Sequence, residues 1–263
     1  MRTQRQQDDV QGFRSFEFDL PSALLEQLVA LLDAMEQGSL LPDVTSAVPN
    51  AQGVYQLFHN TKLVYVGKTD AEAGLKQRLS RHAWTIQSRH NLDVQEMTFK
   101  AVEVLVFSAM DLEKALISHY KRRKEHPAWN GSGFGSNDPG RRRDKTALKE
   151  DGFDANYPIN IDLPLETPPS GQLTALDALT RLMPSVPYTL RHERSDEALA
   201  ELERALLSLP DDKYTLRFAI EAICAVLPIG WQATKLPARV IAYRELVDDY
   251  PGGEIIARSQ ETQ

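Results

Sequence analysis

Gly53-Val54-Tyr55-Gln56-Leu57-Phe58 and Lys62-Leu63-Val64-Tyr65-Val66-Gly67 are two apolar runs separated by His59-Asn60-Thr61. β-Branched and aromatic residues on either side of a short polar turn predict a β-hairpin that sets Tyr55 and Tyr65 side by side. Glycines at the motif ends, Gly53 and Gly67, suit places where backbones approach closely. Downstream, the pattern predicts a helix from about Asp70 to His82, with Leu75 and Leu79 as its apolar stripe. Arg78 and His82 are four apart and therefore share one face beside that stripe. A linker is expected over 83–94, a third strand over Phe99–Phe107, and then a helix capped by Ser108 and running to about Lys124. Glu113 falls near the start of that helix, and Asn130 in a Trp129-Asn130-Gly131 turn.

Upstream, Phe13, Phe16 and Phe18 suggest a short extended piece. Pro21-Ser22 then opens a helix whose leucines, from Leu24 to Leu32, recur at three- and four-residue spacing, so that one face packs on something. From Pro127 to Asp144 the chain turns glycine-rich and basic. Pro168-Pro169-Ser170-Gly171 reads as a linker, and amphipathic helices are expected near 173–183, 195–208, 213–227 and 237–248. The expected domains are an N-terminal helical arm (1–50), an α/β unit (51–165) and an acidic, mostly helical C-terminal extension (166–263).

The 263 residues carry a net charge of −7, which argues against a nucleic-acid partner until it is resolved along the chain. Residues 1–61 have a net charge of −5, residues 62–149 one of +7, and residues 150–263 one of −9. The candidate motifs fall almost entirely in the basic middle third, and a local positive field is what a polyanionic backbone requires. No apolar run approaches the ~20 residues of a membrane helix. Met1-Arg-Thr-Gln-Arg-Gln-Gln-Asp-Asp is too polar for a secretory signal. Cys224 is the single cysteine, which excludes an intrachain disulfide and a four-cysteine zinc site; a reducing, cytoplasmic location is the expectation.

Each candidate side chain also has an ordinary role. Strand tyrosines pack their rings, helix arginines are solvated, and turn asparagines are common. A phenol with a pKa near ~10 needs a cation or a metal-bound water nearby before it can act as a base. Arg78 can grip phosphate oxygens with its planar fork, and His82 can accept or relay a proton. Glu113 shares a helix face with Leu116, Ile117 and Tyr120, where an unpartnered carboxylate would be costly. A divalent cation is an economical partner, and one carboxylate suits Mg²⁺, which keeps most of its waters. His59, His90, His119, His126 and His192 read as surface or packing residues.

Two phenols, a guanidinium, an imidazole, a carboxylate and an amide in this order resemble the GIY-YIG nuclease superfamily, whose motifs stand here as Gly53-Val54-Tyr55 and Tyr65-Val66-Gly67. The resemblance implies a small core of hairpin, helix, third strand and helix over about 50–165. It assigns Tyr55, Tyr65, Arg78, His82, Glu113 and Asn130 to catalysis, with Tyr55 favoured as the base and Mg²⁺ on Glu113. The stretches Gly131–Asp144 and Asp151–Ile161 resemble GIY-YIG type II restriction endonucleases that cut CCGCGG. The expected partner is double-stranded DNA, held by Lys68, Arg81, Arg89, Arg141, Arg142 and Arg143. Cutting both strands of a palindrome implies a homodimer, with the leucine-rich helix and the acidic extension as candidate surfaces; a second interface would give a tetramer. Open alternatives are a repair or mobile-element nuclease of the same superfamily and a DNA-binding protein that kept the fold without activity.

Overall fold

The computed structural model describes residues 12, 19–70, 72–105, 112–135 and 138–260. Phe13, Phe16, Phe18 and the Ser108 cap lie outside these residues. The first helix, α1 (Leu20–Ala34), starts where Asp19 accepts hydrogen bonds from the backbone and hydroxyl of Ser22. After it come β1 (Gly38–Ser39), α2 (Pro42–Thr45), β2 (Gly53–His59), β3 (Lys62–Thr69), α3 (Leu75–Gln87), β4 (Met97–Glu103) and α4 (Leu112–Arg122). The four strands form an antiparallel sheet in the order β1-β4-β2-β3.

His59 pairs with Lys62, so Asn60 and Thr61 alone make the β2–β3 turn, at φ of 49° and 66°. Positive φ at both central residues is the hairpin turn that matches strand twist. One face of the sheet carries Tyr55, Leu57 and Phe99 against Leu75, Leu79 and Ile86 of α3. The other carries Val54, Phe58 and Val66 against α1 and α4, through Leu28, Leu32, Leu116 and Tyr120. Burial of each such side chain contributes about 1.5–3 kcal/mol, so the sheet is fixed from both sides.

The arm expected over 1–50 is therefore corrected over its described residues. The leucine face of α1 is spent on the sheet, and β1 extends that sheet at its β4 edge. The expected helix over 70–82 is displaced to 75–87, because Gly74, at φ 62°, precedes its first turn and a β-carbon there would collide with the Asn50 side chain. Residues 83–87, expected in a linker, are its last turns.

Beyond α5 (Phe153–Asn156) lie β5 (Gly171–Thr174), α6 (Ala175–Leu182), β6 (Thr189–His192), α7 (Asp196–Arg204), β7 (Leu206–Leu209) and α8 (Leu216–Val226). Three strands follow: β8 (Gln232–Leu236), β9 (Arg239–Tyr243) and β10 (Glu254–Arg258). The expected mostly helical extension is thus a mixed α/β unit. Its main sheet runs β10-β8-β9-β6, with β6 parallel to β9, and β5 pairs with β7 beside it. The helix expected over 237–248 is instead strand β9, buried along its whole length. Ile159, Ile161 and Leu165 enter this second core, so it begins before the boundary expected at 165. The expected Pro168–Gly171 linker is pinned as well, since the Tyr214 hydroxyl donates to the Pro169 carbonyl. Among the described residues no helix is long and apolar enough to cross a membrane.

Candidate active site

Register brings the hairpin's chemistry together. Tyr55 lies directly across from Gly67, and Tyr65 across from Leu57, so the phenols are diagonal neighbours on the α3 side of the sheet. Their ring centroids are 6.1 Å apart. The glycine is required: a β-carbon at 67 would come within 2.4 Å of the Tyr55 ring and hydroxyl. Gly53 serves the neighbouring strand, because a β-carbon there would meet the Val102 carbonyl at 2.2 Å.

From α3, His82 points down onto this face. Its Nε2 is 2.8 Å from the Tyr55 hydroxyl, and either group donates according to the imidazole tautomer. The ring lies 5.5 Å from that of Tyr65. Burial, then the charges of Arg78 and Arg81, push His82 down to about 3, so it is neutral at physiological pH. Burial pushes the Tyr55 phenol well above its ordinary range, with Tyr65 adding to the rise and Arg78 opposing it. Tyr65 is raised for the same leading reason, with Glu113 adding to it, but it is only half-buried, whereas Tyr55 is 1% exposed. Without a ligand, both phenols are protonated.

Arg78 is half-buried one turn before His82, and its charge acts on both phenols and on the imidazole. Glu113, in the first turn of α4, is half-buried and acts electrostatically on both tyrosines. Five of the six expected catalytic side chains are thereby coupled. The sixth, Asn130, joins through the backbone: its Oδ1 accepts from Val66 N and its Nδ2 donates to Val66 O, both at 2.8 Å. It fixes the strand between Tyr65 and Gly67.

No group of three or more His, Cys, Asp or Glu that could hold a metal occurs among the described residues. A hard cation here would have Glu113 as its protein carboxylate, with its remaining positions left to phosphate and water rather than to a closed protein cage.

One contributor was not singled out from sequence. Phe134 stacks on His82 at 4.8 Å and 23° and meets Tyr65 edge-on at 5.1 Å. The adjacent Gly135 approaches the Tyr65 hydroxyl so closely that a β-carbon would sit 3.1 Å from it. The cluster Gly131-Ser-Gly-Phe-Gly135 was the available signal, because repeated glycines around one aromatic mark close approach.

The expected DNA contacts divide. Lys68, Arg81, Arg142 and Arg143 are exposed. Arg89 is not: its side chain is 7% exposed, pairs with Asp154 at 2.8 Å, donates to the Tyr157 carbonyl and lies over the Phe153 ring. Arg89 is therefore corrected from a DNA contact to a brace between the end of α3 and the 153–157 segment. Arg141 is engaged by Glu193 and Glu245.

Residues 65–154 match the family model of the Eco29kI GIY-YIG domain. The matched segment holds Tyr65, Arg78, His82, Glu113 and Asn130, and Tyr55 precedes it. The match supports a GIY-YIG nuclease domain of the restriction-endonuclease kind. No curated protein matches the chain.

Proposed function

We propose that the protein is a type II restriction endonuclease that hydrolyses double-stranded DNA at a short G·C-rich palindrome such as CCGCGG. The carrying observation is the Tyr55–His82 hydrogen bond of 2.8 Å beside Tyr65, set within the fields of Arg78 and Glu113. The match over residues 65–154 supports the same reading.

Water attacks phosphorus, the P–O3′ bond breaks, and a 5′ phosphate and a 3′ hydroxyl remain. Tyr55 takes the proton of the attacking water while passing its own to His82 Nε2, in the neutral tautomer that carries its proton on Nδ1. Tyr65, the more exposed phenol, orients that water. Arg78 grips the phosphoryl oxygens and offsets charge growing on them. Phosphate on Arg78 also relieves part of the charge that depresses His82, which improves the imidazole as a proton acceptor when DNA is bound. Glu113 would hold a Mg²⁺ ion, which would supply positive charge to offset the charge that develops in the displacement. Lys68, Arg81, Arg142 and Arg143 hold the duplex, and any of them that reaches guanine can pair with its two major-groove acceptors.

A homodimer gives each strand one active site. The buried leucine face of α1 cannot serve as its interface, which leaves other surfaces of the chain, the C-terminal unit among them. Light scattering reads the subunit count, and a monomer making concerted double-strand cuts would exclude the dimer. Such an enzyme works in the cytoplasm, where its DNA is.

The test is incubation of plasmid DNA with the protein and Mg²⁺, with ends mapped to the base. Discrete fragments with 5′ phosphates are expected. Cutting confined to flaps or lesions would instead identify a repair nuclease, and binding without cleavage an inactive relative.

A further inference from the structure

We propose that the C-terminal unit is the platform that positions the basic turn Arg141–Arg143 on DNA, with Asp144 as its anchor. This proposal rests on the nuclease reading above.

Asp144 is 3% exposed, a rare place for a carboxylate. It accepts from Arg191 Nη2 at 2.7 Å, from Arg239 Nη1 at 3.1 Å and from the Tyr243 hydroxyl at 3.0 Å. All three donors come from the C-terminal sheet, on β6 and β9. Arg191 and Arg239 also face Asp138, at 3.1 and 3.6 Å. The turn between the two aspartates is closed by its own backbone, from Arg143 N to Gly140 O and from Asp144 N to Arg141 O, each 3.1 Å.

Arg141 is spent on the same platform. Its guanidinium lies 4.2 Å over the Tyr243 ring and pairs with Glu193 at 2.5 Å and Glu245 at 3.3 Å. Its neighbours Arg142 and Arg143 remain exposed. One arginine of the three thus holds the turn, and the other two are presented by it.

At its other end the loop is tied to the catalytic centre, where Gly135 abuts the Tyr65 hydroxyl and Phe134 stacks on His82. Arg142 is seven residue steps beyond Gly135, a reach of at most about 25 Å at full extension. A duplex in the active site therefore passes within range of a turn held at both ends. Binding through two arginines does not lose the entropy of ordering their loop where the backbone is already fixed. The buried anchor fixes it.

The sign of one substitution separates positioning from plain electrostatics. Asp144→Asn removes a negative charge beside a DNA-binding surface, so long-range attraction alone would tighten binding. Loss of the anchor would weaken it. Binding of a short duplex carrying the mapped cut site is measured over a range of salt, without Mg²⁺, for the full-length wild type and three variants. These are Arg142→Gln/Arg143→Gln, Asp144→Asn and their combination.

The arginine pair is expected to lose about tenfold in affinity and about 0.9 in the salt slope for each phosphate contact removed. Asp144→Asn should weaken binding to a similar extent, and the combined variant should bind no more weakly than the arginine pair alone. Additive losses, or wild-type or tighter binding by folded Asp144→Asn, would overturn the proposal. Should Asp144→Asn not fold, Tyr243→Phe removes one donor to the anchor and is read in the same cycle. If the wild type cuts DNA but the arginine pair binds normally, the platform proposal alone falls. If the wild type neither binds nor cuts DNA, the nuclease reading falls and takes the platform with it.

Discussion

Gly67 stands directly opposite Tyr55 across the hairpin, so close that a β-carbon at 67 would lie 2.4 Å from the phenol carbon and oxygen. The neighbour that would have to give way is the ring that hydrogen-bonds His82. Gly67→Ala should therefore displace the Tyr55 hydroxyl from His82. Overpacking of a closed core costs about 1–3 kcal/mol, which a domain of this size can survive. The expected outcome is a folded protein, by circular dichroism and thermal melting, whose cleavage rate is down at least ~100-fold, the scale of a lost acid–base group. Normal cleavage by Gly67→Ala would mean that Tyr55 need not hold this position.

Tyr55→Phe keeps the ring and removes the oxygen that contacts His82. Stability should fall by about 1–3 kcal/mol, because the buried His82 Nε2 is left without this partner. Single-turnover cleavage should fall by ~10²–10⁴ with DNA affinity unchanged. If Tyr65→Phe is dead and Tyr55→Phe is active, the base is Tyr65.

Glu113→Ala is expected to abolish Mg²⁺-dependent cleavage while leaving DNA binding largely intact, because it removes the carboxylate proposed to hold the cation, which also acts on both phenols. Isothermal titration of Mg²⁺ into the protein–DNA complex gives a second readout. Heat of metal binding should be lost in the variant, and its persistence would place the cation elsewhere.

The hairpin and the i,i+4 pair Arg78 and His82 were legible because each follows from local spacing, whereas the pairing of Asn130 with Val66, 64 positions away, was not. Strand alternation places Tyr65 and Gly67 on one face, and the pairing register adds Tyr55 to it. Start and end points were harder. Gly74 at positive φ holds back α3, and nothing in Asp70–Gly74 announces the Asn50 side chain that presses on it. Strand β9 was hidden because it is buried on both faces and so lacks the alternation that marks a strand. Its Val240-Ile241 pair was the remaining clue, since β-branched residues favour strands. Arg89 illustrates a limit of a different kind. Whether an arginine meets DNA or an internal carboxylate depends on a partner 65 positions away, Asp154, which no local pattern identifies.

His82 offers a prediction that needs no substrate. Burial and two nearby arginines hold its folded-state value near 3, against 6.5 for the ordinary imidazole. Between these values the unfolded chain binds a proton that the folded chain refuses, so unfolding is favoured as pH falls through that window. Stability should accordingly decline from about pH 6.5 towards the acid side, by at most about 1.4 kcal/mol per pH unit from this one group. His82→Phe removes the titrating group while filling the space under Phe134, at the cost of the Tyr55 hydrogen bond. Urea midpoints measured at neutral and mildly acid pH should converge: the wild type loses stability over the interval, and the variant loses less. Parallel declines in the two proteins would show that His82 takes up its proton as readily in the folded chain as in the unfolded one, and that burial does not hold the imidazole neutral.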